Sequence, residues 1–70
     1  SPPLPKTTDN YEANYKALIE ILFSLGTVID IQKYMTENKD TFPELLGEEY
    51  LEMFRADCRD AMKKLEVKND

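Results

Sequence analysis

A chain of 70 residues allows one domain with a marginal core, since a fold of this size covers only about 60% of the surface its unfolded chain exposes. One cysteine, Cys58, and no histidine exclude an internal disulfide, a zinc site on Cys or His pairs, and any Ser–His or Cys–His relay. The net charge of −5 argues against direct binding to nucleic acid, and the longest apolar run, Ile21-Leu22-Phe23, is far short of a membrane span.

With 41% apolar and 33% charged residues the composition is that of a globular domain. No signal-peptide layout and no N-x-[ST] sequon occur, so an intracellular, reducing compartment is expected. Residues 1–8 read as a linker, because three of the first five residues are prolines and favour extended polyproline II. Within it, Pro2-Pro3-Leu4-Pro5 resembles the ligand of one class of WW domains.

The domain proper is expected over residues 9–66. Asp9-Asn10-Tyr11-Glu12 has the form of a capping box and predicts the start of a helix at Asp9. Tyr11, Tyr15, Leu18, Leu22 and Leu25 then follow at helical spacing as an apolar stripe. Ala17, Ile19, Ile21 and Phe23 widen that stripe, and Gly26 is the expected left-handed stop. Thr27, with Asp30 three residues on, predicts the cap of a second helix whose apolar face is Val28, Ile31, Tyr34 and Met35. The polar stretch Thr36 to Asp40 reads as a loop.

Thr41-Phe42-Pro43-Glu44 is a further capping pattern with proline in the first turn. Only Leu45 and Leu46 follow before Gly47, which predicts a single 3₁₀-type turn that pins Phe42 and a leucine into the core. A last helix is expected from Glu48 to Glu66, with Leu51, Phe54, Cys58, Ala61 and Leu65 inward and Tyr50 and Met62 on the flanks. Residues 67–70 are expected to fray. The fold class is therefore an all-α three-helix bundle with a short turn between the second and third helices. Its expected core is Tyr15, Leu18, Leu22, Val28, Ile31, Phe42, Leu51, Phe54, Cys58 and Leu65.

This order resembles the FF domain over residues 11–66. The family's opening aromatic corresponds to Tyr15 in Tyr15-Lys16-Ala17-Leu18-Ile19, the aromatic after its loop to Phe42, and its second conserved aromatic to Phe54 in Leu51-Glu52-Met53-Phe54. The chain departs from the family in carrying Val28 where many members have tryptophan, Tyr15 for phenylalanine, and Lys39-Asp40-Thr41 for Asp-Pro-Arg. The resemblance implies a protein-protein interaction module, one of several in a nuclear mRNA splicing or transcription scaffold, that binds phosphopeptides or acidic-aromatic peptides. It also admits a cytoplasmic Rho GTPase-activating protein.

The candidate sites follow from the residues themselves. Arg55, Arg59 and Lys63 recur every four residues as a basic strip, either a solvated face balanced by Glu52, Asp60 and Glu66 or a dock for an acidic or phosphorylated peptide. Tyr50, after Glu48-Glu49, has the acidic context tyrosine kinases favour, yet it also begins a helix and is expected to pack on the core. The carboxylate pairs Glu48 with Glu52 and Asp57 with Asp60 read as solvated, and Cys58 as a small buried hydrophobe. No enzyme, metal or cofactor is expected. A dimerisation bundle, with the apolar residues of the first helix buried against a second copy, is the remaining alternative.

Overall fold

Asn10, not Asp9, caps the first helix: its extended backbone turns the side chain so that Oδ1 accepts from the Ala13 N–H at 3.1 Å. Asp9 lies outside residues 2–5 and 10–68, which are the ones this computed structural model describes. Helix α1 (Tyr11–Ser24) follows, then α2 (Val28–Asn38) and α3 (Phe42–Lys68). The expected all-α three-helix bundle is what the chain forms.

The junctions differ from expectation in instructive ways. Helix α1 ends at an extended Leu25, whose N–H bonds the Leu22 carbonyl at 3.2 Å, while the Ser24 hydroxyl donates to the Ile21 carbonyl. Gly26 therefore provides no left-handed stop; the positive φ of the described backbone belongs to Gly47. Thr27 does cap α2, accepting from the Asp30 N–H at 3.1 Å. The helix then continues through residues 36–38, where a loop was expected. Asn38 supports this last turn by donating its side-chain amide to the Tyr34 carbonyl at 2.9 Å.

Thr41 starts α3, its carbonyl accepting both an i+3 bond from Glu44 and an i+4 bond from Leu45. The short turn over 42–46 is thus α-helical with a 3₁₀-type contact, rather than purely 3₁₀. Gly47 interrupts α3 with φ 68° and ψ −179°, a conformation open essentially to glycine alone, and swings the long remainder of the helix onto a new axis. That remainder is helical to Lys68, past the residue at which fraying was expected.

Helices α1 and α3 run side by side in the same direction. Near their starts, a Cβ built at Gly47 would meet the Tyr11 ring, and the buried Asn14 amide donates to the Leu45 carbonyl at 3.0 Å. Midway, Tyr15 meets Tyr50 and Asp57. Towards their ends, Leu22 and Leu25 lie beside Ala61 and Leu65. The Asn14 bond ties α1 to the turn before the Gly47 kink, where a carbonyl would otherwise face apolar surroundings.

The core consists of Leu18, Leu22, Ile31, Tyr34, Phe42, Leu45, Leu46, Phe54 and Cys58. Its centre is an aromatic chain: Tyr34 lies 6.0 Å from Phe42, and Phe42 meets Phe54 edge-on at 5.1 Å. One ring each from α2, the short turn and the long part of α3 thereby lock the three pieces together. Both Leu45 and Leu46 are buried, where one leucine was expected. Tyr15, Leu51 and Leu65 are half-buried and pack against this core from outside. Val28 corrects the expectation: it is half-exposed at the first turn of α2 and is not among the residues packed on the core. Its place at the helix entrance leaves it short of the aromatic centre, which Ile31 and Tyr34 reach one and two turns later.

Candidate peptide-binding groove

The parallel packing of α1 and α3 leaves a furrow where the two helices end. Leu22, Phe23 and Leu25 form one wall, Ala61 and Leu65 the other, with Asp60, Lys63 and Lys64 along the α3 rim. The space is about 660 Å³, within the range of small-ligand and peptide-anchor pockets. The furrow exists because α1 stops at Ser24 while α3 runs on, so the inward side chains of its last turns have little opposite them. Phe23 is 73% exposed and also lines a second, smaller hollow of about 460 Å³ with Tyr15, Ile19 and Asp57. Phe23, which widens the apolar stripe of α1 in the sequence, is thus left uncovered within this chain.

Of the predicted basic strip, only Lys63 reaches the groove. Arg55, Arg59 and Lys63 are all exposed, and among the described residues none forms an ion pair with Glu52, Asp60 or Glu66. Their charges are left to solvent or to a ligand. An ion pair between Lys16 and Glu12, at 3.5 Å, lies on the exposed face of α1 and contributes little.

Asp57 is not the solvated carboxylate its pairing with Asp60 implied. It is half-buried and accepts a short hydrogen bond from the Tyr15 hydroxyl. That bond, with help from burial, pushes the Tyr15 phenol up to about 12. Tyr50 is half-buried as expected, its ring 5.3 Å from that of Tyr15. Sequence reasoning could not find the Tyr15–Asp57 pair, because 42 residues separate them and only the helix packing brings them together.

Cys58 is wholly buried, and burial followed by the nearby Asp57 charge pushes its thiol up to about 12, which disfavours the reactive thiolate. Tyr34 is raised by burial, and its hydroxyl has no hydrogen-bond partner among the described residues. All three groups are neutral in the fold and ionise more easily once unfolded. A folded pKa above the unfolded value stabilises fully below the unfolded value and is lost as pH rises through the folded one. Stability is therefore expected to hold to about pH 9, where an unfolded thiol begins to ionise, and to fall steadily towards pH 12. Melting curves of the native chain and of Tyr15→Phe across pH 7–12 check this. The variant should decline less steeply above pH 10, keeping only the share of Tyr34 and Cys58, and equal slopes would show that Tyr15 is not involved.

Among the described residues, no cluster of three His, Cys, Asp or Glu side chains could hold a metal ion, and no helix is long and apolar enough to cross a membrane. No family model matches the chain, and no match was found among curated proteins or solved structures.

Proposed function

We propose that this chain is a non-catalytic protein-recognition module of FF type within a larger, nuclear splicing or transcription scaffold. It binds a short acidic segment that carries an aromatic or aliphatic anchor, or a phosphate in place of some acids. The observation that carries this reading is the groove at the ends of α1 and α3, apolar along its floor and edged by Lys63 and Lys64 beside a single acid, Asp60, on an otherwise acidic protein. The anchor would sit between Leu22, Leu25, Ala61 and Leu65. Its acids would meet Lys63 and then the unpaired Arg59 and Arg55 along the helix, where guanidinium forks hold carboxylate or phosphate oxygens in bidentate fashion.

Titration with acidic-aromatic peptides and phosphopeptides, followed by amide chemical shifts, tests this. The amides of Leu22, Leu25, Ala61 and Leu65 should move first, followed by residues 55–63. Lys63→Glu should weaken binding roughly fivefold, the size of a reversed surface charge pair, and raised salt should weaken the native complex too. Amides of the groove and the strip that stay still with every peptide would overturn the reading.

The same fold in a cytoplasmic Rho GTPase-activating protein, controlled through Tyr50, is a second reading. The half-buried ring of Tyr50 against Tyr15 supports a version in which the kinase acts only on a locally opened domain. The dimerisation alternative draws on Phe23, which a second copy could cover. Sedimentation at rising concentration separates it from a monomeric peptide binder.

A further inference from the structure

The N-terminal proline segment is not free of the bundle. Leu4 is half-buried and packs against the hydrophobic core, and Pro2 and Pro5 are half-covered, whereas Pro3 stands exposed. The physical reason is economy of apolar surface. Leu4 is the sole large aliphatic side chain ahead of Tyr11, and a core this small gains from any further apolar area laid on it. A strap held by one leucine is a weak attachment. Its loss leaves the nine buried core residues in contact with one another.

A WW domain grips a proline segment by laying it into an aromatic-lined groove, which needs the residues around the prolines stripped of other contacts. Pro2-Pro3-Leu4-Pro5 cannot present itself in that way while Leu4 is in the bundle. We propose that residues 2–5 are a sheathed ligand for a WW domain, withheld by the docking of Leu4 and presented only when that side chain leaves the core. Binding by a WW domain and docking of the strap are then mutually exclusive. The apparent affinity of the chain is the intrinsic affinity scaled by the fraction of molecules with the strap released. Any change that weakens the seat of Leu4 exposes the ligand, and only a ligand that binds the strapped form more tightly than the released one withdraws it further. This second recognition site is independent of the groove, since it rests on Leu4 and the prolines alone.

The experiment compares two ligands of one WW domain that selects Pro-Pro-Leu-Pro sequences: the intact 70-residue chain and a C-terminally amidated peptide of residues 1–8. Calorimetry should give the chain a Kd roughly five- to tenfold weaker than the peptide, as expected for a strap held by partial burial of one leucine. In the free chain the Leu4 methyls should show nuclear Overhauser contacts to core protons, and saturation with the WW domain should abolish them while the rest of the core spectrum stays dispersed. Equal Kd values for chain and peptide would overturn the proposal, as would a bound chain that keeps its Leu4 contacts. Failure of the peptide itself to bind would do so as well, because the segment would then be no WW ligand.

Discussion

Phe54→Ala should either unfold the chain at 25 °C or lower its melting temperature by tens of degrees. Phe54 is 1% exposed, meets Phe42 edge-on, and through it connects to Tyr34, so its ring joins all three structural pieces. Removing such a ring costs about 3–5 kcal/mol, from lost transfer free energy and the cavity left behind. At about 0.05–0.15 kcal/mol per residue, a domain of this size has roughly 4–10 kcal/mol in all. A native chain in the lower half of that range unfolds; one in the upper half keeps a melt shifted down by tens of degrees. Phe54→Leu, which keeps much of the volume, should cost only about 1–1.5 kcal/mol and retain a cooperative transition. The pair of melts, followed by far- and near-ultraviolet circular dichroism, makes the test graded. Native-like melting of the alanine variant would show that the aromatic chain is not the centre of the core.

Gly47→Ala should be the most costly of the single-methyl additions. The backbone there has φ 68° and ψ −179°, a region in which a Cβ collides with its own peptide groups. That strain amounts to roughly 1–3 kcal/mol. A second cost arises because the new Cβ would lie 2.9 Å from Cε2 of the Tyr11 ring. Tyr11 is 46% exposed and sits in the first turn of α1, so its ring can swing towards solvent and most of that clash relaxes. Backbone strain therefore decides the result. In a double-mutant cycle with Tyr11→Ala the coupling should stay below about 0.5 kcal/mol, while the loss from Gly47→Ala persists. Gly26→Ala serves as the contrast. Nothing lies within 4 Å of its Cβ position and its φ is not positive, so alanine there should be neutral or stabilising by up to about 1 kcal/mol. Equal effects at the two glycines would mean that the kink in α3 does not depend on glycine.

The two glycines show where reading a sequence reaches its limit. Each follows an apolar-periodic segment and each is a reasonable helix stop. Gly26 is followed by a threonine that caps α2, which lets Leu25 leave α1 in extended form without any left-handed residue. Gly47 has no such escape, because Leu45 and Leu46 must both point into the core before the chain turns along α1. The choice between the two is made by packing, not by neighbours in sequence.

Local information was enough for the helices and most of the core. Threonine at position 27, the proline after Phe42 and the three-four spacing of Leu51, Phe54, Cys58, Ala61 and Leu65 act within a turn or two, so they are readable residue by residue. The basic strip was equally legible as a spacing of four, although its exposure and lack of partners were not. Everything that joins distant segments was decided by the tertiary structure: the Tyr15–Asp57 bond, the Asn14–Leu45 bond, the docking of Leu4 and the groove itself. The reason is geometric. Periodicity states which face of a helix is apolar, but not which helix covers it or for how far. Here α1 ends while α3 continues, and that mismatch in length creates the groove on which binding of an acidic peptide is proposed.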